Sequence, residues 1–92
     1  MILTWRHKGL KQLFLIGDSR RIRPDLERRA LLALDAMDAA ERPSDLNVPG
    51  FDFHRLRAHR PMRYSIHVNG PWCITFEFRD GEALAVDLEQ YH

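Results

Sequence analysis

The chain has 92 residues, of which 45% are hydrophobic and 29% are charged, so it is long enough for one domain and too short for a multidomain enzyme. Every apolar run is shorter than the ~18 residues of a membrane-spanning helix, and residues 1–8 do not resemble a signal peptide. We therefore expect a single cytoplasmic domain over residues 1–92 that makes no membrane contact. The single cysteine, Cys73, excludes an intramolecular disulfide and a cysteine-rich zinc site.

The formal net charge of +1 conceals blocks of opposite sign along the chain. Residues 1–34 hold eight Lys or Arg against three acids, and residues 35–54 hold one Arg against five acids. Residues 55–63, which we call the arginine block, hold four Arg and no acid, whereas residues 64–92 hold one Arg against five acids. Four guanidinium groups so close together attract phosphate, although solvated surface loops often have the same composition.

The N-terminal residues predict a short strand followed by an amphipathic helix. Residues 1–6 are apolar and include one Trp, which is typical of a strand. The next segment carries apolar side chains at positions i, i+3 and i+4, which predicts a helix over residues 8–16 that ends near Gly17. This apolar stripe consists of Leu10, Leu13 and Phe14.

A second and longer helix is predicted over residues 24–40. Pro24 suits the first position of a helix, and two acids follow in the first turn, where the helix dipole favours negative charge. Pro43 cannot continue the helix and therefore limits its length. The face predicted to be buried consists of Leu26, Ala30, Ala33, Leu34 and Met37.

From residue 64 onward the apolar pattern has a period of two, which predicts three half-buried strands. Asn69-Gly70-Pro71 and Asp80-Gly81 separate these strands and predict hairpin turns. Residues 41–53 contain two Pro and one Gly and predict a loop with one turn of helix. The fold class is therefore α+β: an N-terminal strand, two helices and a C-terminal antiparallel meander. We expect the helices to cover one face of the sheet and the other face to be open and polar. The apolar positions of the three strands are Tyr64, Ile66, Val68, Trp72, Ile74, Phe76, Phe78, Leu84, Val86 and Leu88.

Several residues suit metal-independent cleavage of RNA, which requires a base, an acid and cations for the charge on phosphorus. His54 precedes the arginine block and His92 is the last residue, so these two imidazoles are candidates for acid and base. Tyr91 is a candidate to orient the phosphate, to stack on a base or to fill the core. Without a Walker loop, nucleophile elbow or paired metal-ligand motif, the sequence predicts neither cofactor nor metal. The candidate phosphate-binding cations are Arg55, Arg57, Arg60 and Arg63.

A set of motifs spread over the whole chain resembles one known family. The motifs are W-R-H-K-G-L-K-Q-L-F, H-R-L-R-A-H-R, Y-S-I-H-V-N, W-C-I-T-F-E-F, D-G-E-A and the closing Y-H. Together they resemble the HigB toxins, also called host inhibition of growth or plasmid maintenance system killer proteins. These toxins belong to the RelE/ParE superfamily of type II toxin–antitoxin systems. The resemblance implies a RelE-like fold over the entire chain.

The resemblance further implies a function and its partners. HigB toxins are mRNA interferases, which are ribosome-dependent endoribonucleases that cut mRNA in the ribosomal A site. A helix-turn-helix antitoxin of the HigA type holds them inactive, and they reach operator DNA only through the complex with this antitoxin. For the present chain, the resemblance therefore implies translation inhibition without a cofactor. The catalytic residues it assigns by position are His54, Arg57, Tyr91 and His92.

Two positions depart from the family pattern. Cys73 stands where many members have an Arg, and Gln90 stands where many have an Asp. A thiol cannot supply positive charge to the scissile phosphate, and an amide cannot act as a base. We therefore weigh two alternatives: a toxin-fold protein that binds RNA and antitoxin but cleaves weakly, and a ParE-like inhibitor of gyrase. The two departures favour weak cleavage, whereas His54, Tyr91 and His92 favour RNA cleavage over gyrase inhibition.

Overall fold

The computed structural model describes residues 1–91, and His92 lies outside the described residues. The predicted α+β architecture is confirmed, and the strands form one antiparallel sheet in the order β1-β2-β3-β4. Within residues 1–91, neither helix has the length and apolar character needed to cross a membrane. The elements are α1 (Lys8–Ile16), α2 (Pro24–Ala39), a 3-10 helix (Pro43–Leu46), β1 (His54–Leu56), β2 (Arg63–Asn69), β3 (Trp72–Arg79) and β4 (Glu82–Gln90).

Both helices have the predicted limits, and local chemistry explains them. The backbone N–H of Leu10 donates to Nδ1 of His7 at 3.1 Å, so an imidazole caps the start of α1. Gly17, with φ of 77°, ends α1 in the left-handed conformation that glycine adopts without strain. Pro24 begins α2 as predicted. All five side chains predicted on the inner face of α2 are buried.

The helices pack on one face of the sheet and enclose the core. Their apolar stripes meet alternate side chains of β2 and β3 together with Val86 of β4. Both predicted hairpins are present, and Asp80 and Gly81 have φ of 52° and 78°, as a type I′ turn requires. The fully buried side chains contributed by β2, β3 and β4 to this core are Ile66, Val68, Ile74, Phe76, Ala83 and Val86.

The arginine block contains an element that the sequence did not reveal. His54–Leu56 forms strand β1, which pairs antiparallel with the start of β2 at the edge of the sheet. A strand of three residues is too short to show an alternating pattern, so periodicity could not detect it. Because successive side chains of β1 point to opposite faces, this strand decides which residues of the arginine block face each side.

Strand β4 contains a β-bulge that breaks its predicted alternation. Ala83 and Val86 are both fully buried, three positions apart, whereas Leu84 was predicted to face the core and is only half-buried. The register confirms one extra residue in β4, since Thr75 pairs with Asp87 and Glu77 pairs with Leu84. Alternation is a property of a regular ladder, and one inserted residue reverses it for the rest of the strand.

The bulge also explains the N-terminal segment, which is not the regular strand predicted over residues 1–6. Instead it lies parallel to β4 and makes two isolated bridges, Ile2 with Ala83 and Trp5 with Val86. Between the bridges lies the bulge residue Ala85, with φ of 50°. The hydroxyl of Thr4 accepts the backbone N–H of Ala85 at 2.7 Å, which satisfies a donor that the bulge removes from the ladder.

Gly9 allows α1 to approach the linker that leads to α2. A Cβ atom at position 9 would lie 2.7 Å from Cβ of Arg21 and 2.8 Å from Cε1 of His7. Replacing glycine with alanine in a helix normally stabilises it by about 1 kcal/mol, whereas overpacking costs about 1–3 kcal/mol. Cβ of Arg21 is fixed to the backbone, so the contact with Arg21 is not relieved by rotating a flexible side chain.

We therefore expect Gly9→Ala to lower the free energy of unfolding by about 1–2 kcal/mol, against the helix propensity of alanine. Denaturant titration followed by circular dichroism measures this change. Lys11→Ala, an exposed substitution in the same helix, is the matched control and should stay within about 0.5 kcal/mol of the parent. A Gly9→Ala protein more stable than the parent would show that the linker yields without cost.

Candidate active site

The candidate site lies on the sheet face that is turned away from the helices, which we call the polar face. The predicted polarity of this face is confirmed, but its centre is closed: Thr75 is 0% exposed, Arg63 3% and Ser65 5%. The expectation of an open face was wrong because the long charged side chains of Arg63 and Glu89 both bond to the hydroxyl of Thr75 and cover it. The polar face consists of Arg63, Ser65, His67, Cys73, Thr75, Glu77, Asp87 and Glu89.

Arg63 occupies the centre of the polar face and ties three strands together. Its Nη2 donates to the carbonyl of Ala85 at 2.8 Å and to Oγ1 of Thr75 at 3.1 Å, and its Nη1 donates to Oε2 of Glu77 at 3.4 Å. Burial lowers the pKa of Arg63, and the positive charge of Arg6 lowers it further. Arg63 was predicted to bind phosphate from the surface, but these bonds place its guanidinium inside the protein.

Tyr91 lies at the end of β4 with its phenol beside a carboxylate. Its backbone N–H donates to the carbonyl of Pro71 at 2.7 Å, which fixes the residue after the strand ends. The Thr75 hydroxyl donates to Oε2 of Glu89 at 3.0 Å and so fixes that carboxylate. Burial raises the pKa of the Tyr91 phenol, and the negative charge of Glu89 and its hydrogen bond raise it further. The phenol is therefore protonated at neutral pH and acts as a donor.

A second histidine, His59, reaches the site from the loop of residues 57–62. Its Nε2 lies 3.4 Å from the Tyr91 hydroxyl, and its Nδ1 is buried without a hydrogen-bond partner within residues 1–91. The Arg60 guanidinium closes this loop by donating to the carbonyls of Arg57 at 2.9 Å and His59 at 3.1 Å. Neither His59 nor Glu89 could be singled out from the sequence, because contacts between segments that are distant along the chain produce no local sequence pattern.

His54 approaches the polar face from its edge. In the register of β1 it pairs with Ser65, and its side chain is 63% exposed. Its Nε2 lies 3.1 Å from Oδ1 of Asp52, so the carboxylate accepts the Nε2 proton and leaves Nδ1 as the basic nitrogen. The structure thus places His54 and Tyr91 on the same face of the sheet, His54 on the edge strand β1 and Tyr91 just beyond the end of β4.

The four arginines of the arginine block do not form one cluster. Arg55 points to the other face, where its guanidinium lies 5.8 Å from the centre of the Phe53 ring. Arg60 bonds to carbonyls of its own loop, and Arg63 is buried. Arg57 lies in an exposed turn, and its guanidinium makes no hydrogen bond or ion pair within residues 1–91. Arg57 is therefore the member of the block whose guanidinium is exposed and unengaged among the described residues.

The two departures from the family pattern occupy different environments. Cys73 lies on the polar face opposite Glu89, as its alternation predicted. Burial raises the pKa of its thiol, and the charges of Asp52 and Glu89 raise it further, so the thiol is neutral and a weak nucleophile. Gln90 is exposed and pairs with Trp72, one position beyond the polar-face residue Glu89. Glu89 supplies the carboxylate whose negative charge acts on Tyr91.

The described part of the polar face is rich in carboxylates. Glu77, Asp87 and Glu89 lie on it, and Asp52 lies at its edge. The positive charges on this side of the sheet are the guanidiniums of Arg63 and Arg6. Within residues 1–91, no three His, Cys, Asp or Glu side chains are arranged to hold a metal ion. The groups of the candidate site that can take part in the chemistry are the imidazoles of His54 and His59, the protonated phenol of Tyr91 and the exposed guanidinium of Arg57. The other predicted imidazole, His92, lies outside the described residues.

An α+β fold of two helices on a four-stranded antiparallel sheet is consistent with the RelE-like toxins of type II toxin–antitoxin systems. Residues 3–92 match the family described as "RelE-like toxin of type II toxin-antitoxin system HigB", and the chain belongs to this family. The resemblance carried by the motifs is thereby confirmed.

Two curated relatives extend over the full chain. The chain is 36% identical over 92 residues to "Endoribonuclease HigB" of Proteus vulgaris, with 100% of both chains covered. It is 32% identical over 93 residues to "Toxin HigB-1" of Vibrio cholerae serotype O1, which covers 99% of this chain and 98% of the relative.

Because Arg63 is buried and bonded, we expect its loss to affect folding. Arg63→Ala leaves Glu77 and the Ala85 carbonyl without their partner and should lower the free energy of unfolding by about 3–5 kcal/mol. Arg63→Met refills the volume and should recover part of this loss. Arg57→Ala should stay within about 0.5 kcal/mol of the parent, since its side chain is exposed. Denaturant titration of the three variants tests the assignment, which fails if Arg63→Ala is as stable as Arg57→Ala.

Proposed function

We propose that the protein is a toxin that cleaves mRNA on the ribosome by metal-independent acid–base catalysis. The observation that carries this proposal is the approach of an exposed imidazole, His54, and a protonated phenol, Tyr91, to one face of the sheet. Family membership supports the toxin role, and the name of the Proteus vulgaris relative supports endoribonuclease activity.

Each candidate residue has a role that its chemistry allows. Nδ1 of His54 accepts the proton of the 2′-hydroxyl, whose oxygen attacks phosphorus, while Asp52 stabilises the resulting imidazolium. The leaving 5′-oxygen takes a proton from His92, and the Tyr91 hydroxyl donates a hydrogen bond to a phosphate oxygen. Arg57 neutralises the charge that develops on the phosphate. Proton transfer by a positioned imidazole contributes about 10²–10⁴ to the rate.

The charge distribution supports presentation of the substrate by the ribosome. Free RNA binds mainly through its phosphates, and affinity increases with the number of cations that contact them. Here the polar face carries several carboxylates, and of the arginine block only Arg57 is exposed and unengaged among the described residues. Such a surface binds free RNA weakly, whereas the ribosome holds the mRNA in place and supplies most of the binding energy.

We therefore expect cleavage of mRNA in a programmed ribosome complex and little cleavage of the same transcript alone. Primer extension on both substrates, at equal concentrations of protein, measures the difference. His54→Ala and His92→Gln should each abolish cleavage and growth inhibition while the purified proteins still bind ribosomes and melt near the parent temperature. Cleavage of the naked transcript at the same rate would refute ribosome dependence.

A weakly cleaving toxin-fold protein is the second candidate, and Cys73 is the observation that favours it. The thiol is neutral and cannot supply a positive charge to the scissile phosphate. Cys73→Arg places a guanidinium beside Asp52 and Glu89, which favour its charge. In the ribosome assay above, this variant increases the cleavage rate if the missing cation limits the parent.

We also propose a helix-turn-helix antitoxin of the HigA type as the protein partner, through which the toxin reaches operator DNA. Membership of a toxin–antitoxin family supports an antitoxin, and the alternating charge blocks give a partner both acidic and basic surfaces to match. The ribosomal A site and mRNA are the partners in the active state.

We expect toxin and antitoxin to form a complex that survives dilution to micromolar concentration. Co-expression with a helix-turn-helix protein encoded beside the toxin gene, followed by size exclusion, tests this expectation. Raising the salt concentration should weaken the complex, because complementary charges contribute to it. Separate elution of the two proteins at low salt would exclude this protein as the antitoxin.

A further inference from the structure

Two groups that the proposed mechanism does not use act on the phenol of Tyr91. Nε2 of His59 lies 3.4 Å from the hydroxyl. The negative charge of Glu89, whose carboxylate is fixed by the Thr75 hydroxyl at 3.0 Å, also acts on the phenol. We propose that His59 is a positioning residue that, with Glu89, orients the Tyr91 hydroxyl toward the scissile phosphate. This inference rests on the proposed cleavage of RNA.

The loop of residues 57–62 is built to hold His59 in this place. The backbone N–H of His59 donates to the carbonyl of Leu56 at 3.2 Å, which ties the loop to the end of β1. The Arg60 guanidinium donates to two carbonyls of the loop, at 2.9 and 3.1 Å, and so fixes its shape. His59 is half-buried as a result, whereas Arg57 and Arg60 beside it are exposed.

The protonation states of Tyr91, Glu89 and His59 determine which group donates a proton and which group accepts it. An ionised carboxylate attracts the phenolic proton, so the O–H of Tyr91 turns toward the negative charge of Glu89. The phenolic oxygen is then free to accept, and His59 donates its Nε2 proton to it. In this tautomer the buried Nδ1 of His59 carries a lone pair and no proton, so the ring buries no donor without an acceptor. His59 and Glu89 thus orient the phenol before a substrate binds.

A bound phosphate changes only the direction in which the phenolic proton of Tyr91 points. Rotation about the phenolic C–O bond turns the proton from Glu89 to a phosphate oxygen, while His59 continues to hold the phenolic oxygen of Tyr91. The hydroxyl is therefore already oriented for the transition state and loses little rotational freedom there, which is the contribution of a positioned group. Loss of His59 should reduce the rate of the chemical step and leave binding to the ribosome unchanged.

The test compares His59→Leu, which removes the donor, with His59→Gln, whose amide can donate in its place. His67→Leu is the matched control, because its ring bonds to the Gly70 carbonyl at 2.9 Å in the β2–β3 turn. Steady-state cleavage measured over a range of programmed-ribosome concentrations gives kcat and KM separately. We expect His59→Leu to lower kcat by about tenfold to a hundredfold with KM unchanged. His59→Gln should recover most of the rate, and His67→Leu should cleave like the parent.

A second readout needs no RNA. In a Tyr64→Phe background Tyr91 is the only tyrosine, so the near-ultraviolet absorbance of its phenolate reports its pKa directly. A donor to the phenolic oxygen stabilises the phenolate, so His59→Leu should raise the pKa of Tyr91 and His59→Gln should restore it. Glu89→Gln should lower this pKa, because it removes a negative charge beside the phenol.

The two readouts separate failure of the inference from failure of the proposed function. If the parent does not cleave ribosome-bound mRNA but His59→Leu raises the pKa of Tyr91, the hydrogen bond stands and the proposed function is wrong. If the parent cleaves and His59→Leu cleaves equally fast, positioning by His59 is refuted. A His59→Leu protein that only melts earlier, with kcat and the Tyr91 titration unchanged, also refutes it and leaves His59 a packing residue.

Discussion

The buried guanidinium of Arg63 is the interaction on which the polar face depends. It contacts Thr75 and Glu77 of β3 and the carbonyl of Ala85 in β4, so one side chain from β2 joins three strands. A buried charge costs free energy unless its hydrogen bonds are made, and the bulge in β4 supplies one of them by turning the Ala85 carbonyl out of the ladder. The Ala85 N–H, freed by the same bulge, bonds to Thr4. The bulge and Arg63 therefore stabilise each other and anchor the N-terminal segment.

The consequences of this arrangement extend to the candidate site. Thr75 accepts from Arg63 and donates to Glu89, so the position of the guanidinium sets the position of the carboxylate. Burial and the negative charge of Glu89 in turn raise the pKa of the Tyr91 phenol. Because each bond fixes the next partner, a chain of short contacts connects the structural centre of the sheet with its chemically useful edge. Because these contacts are linked, a substitution of Arg63 changes activity and stability together.

The departures from the family pattern have a structural interpretation. An Arg at position 73 would face Glu89 across β3 and β4, and here the charge of Glu89 is balanced in part by Arg63 instead. Gln90 follows Glu89 at the exposed end of β4, and the carboxylate beside Tyr91 belongs to Glu89. The site therefore keeps a carboxylate whose charge acts on the phenol although residue 90 is an amide. What it lacks is a free cation at position 73.

The amino-acid sequence by itself determined the helices, the three long strands, both hairpin turns and the family. These features depend on local rules: apolar side chains at helical or alternating spacing, Pro24 at a helix start, and Gly17 or Gly81 where the backbone needs positive φ. Motifs such as the closing Y-H likewise can be seen without a structure, and they singled out His54 and Tyr91, which the structure places on one face of the sheet.

Only the tertiary structure decided the β-bulge, strand β1 and the fates of the four arginines in the arginine block. The bulge depends on partners far away in the chain, Thr4 and Arg63, and no pattern within β4 reveals them. Four neighbouring arginines look equivalent in the sequence, yet one stacks near Phe53, one closes its loop, one is buried and one is exposed. His59 meets Tyr91 across 32 residues of chain. Such contacts are set by how distant segments pack together, and that information is not contained in any local window of sequence.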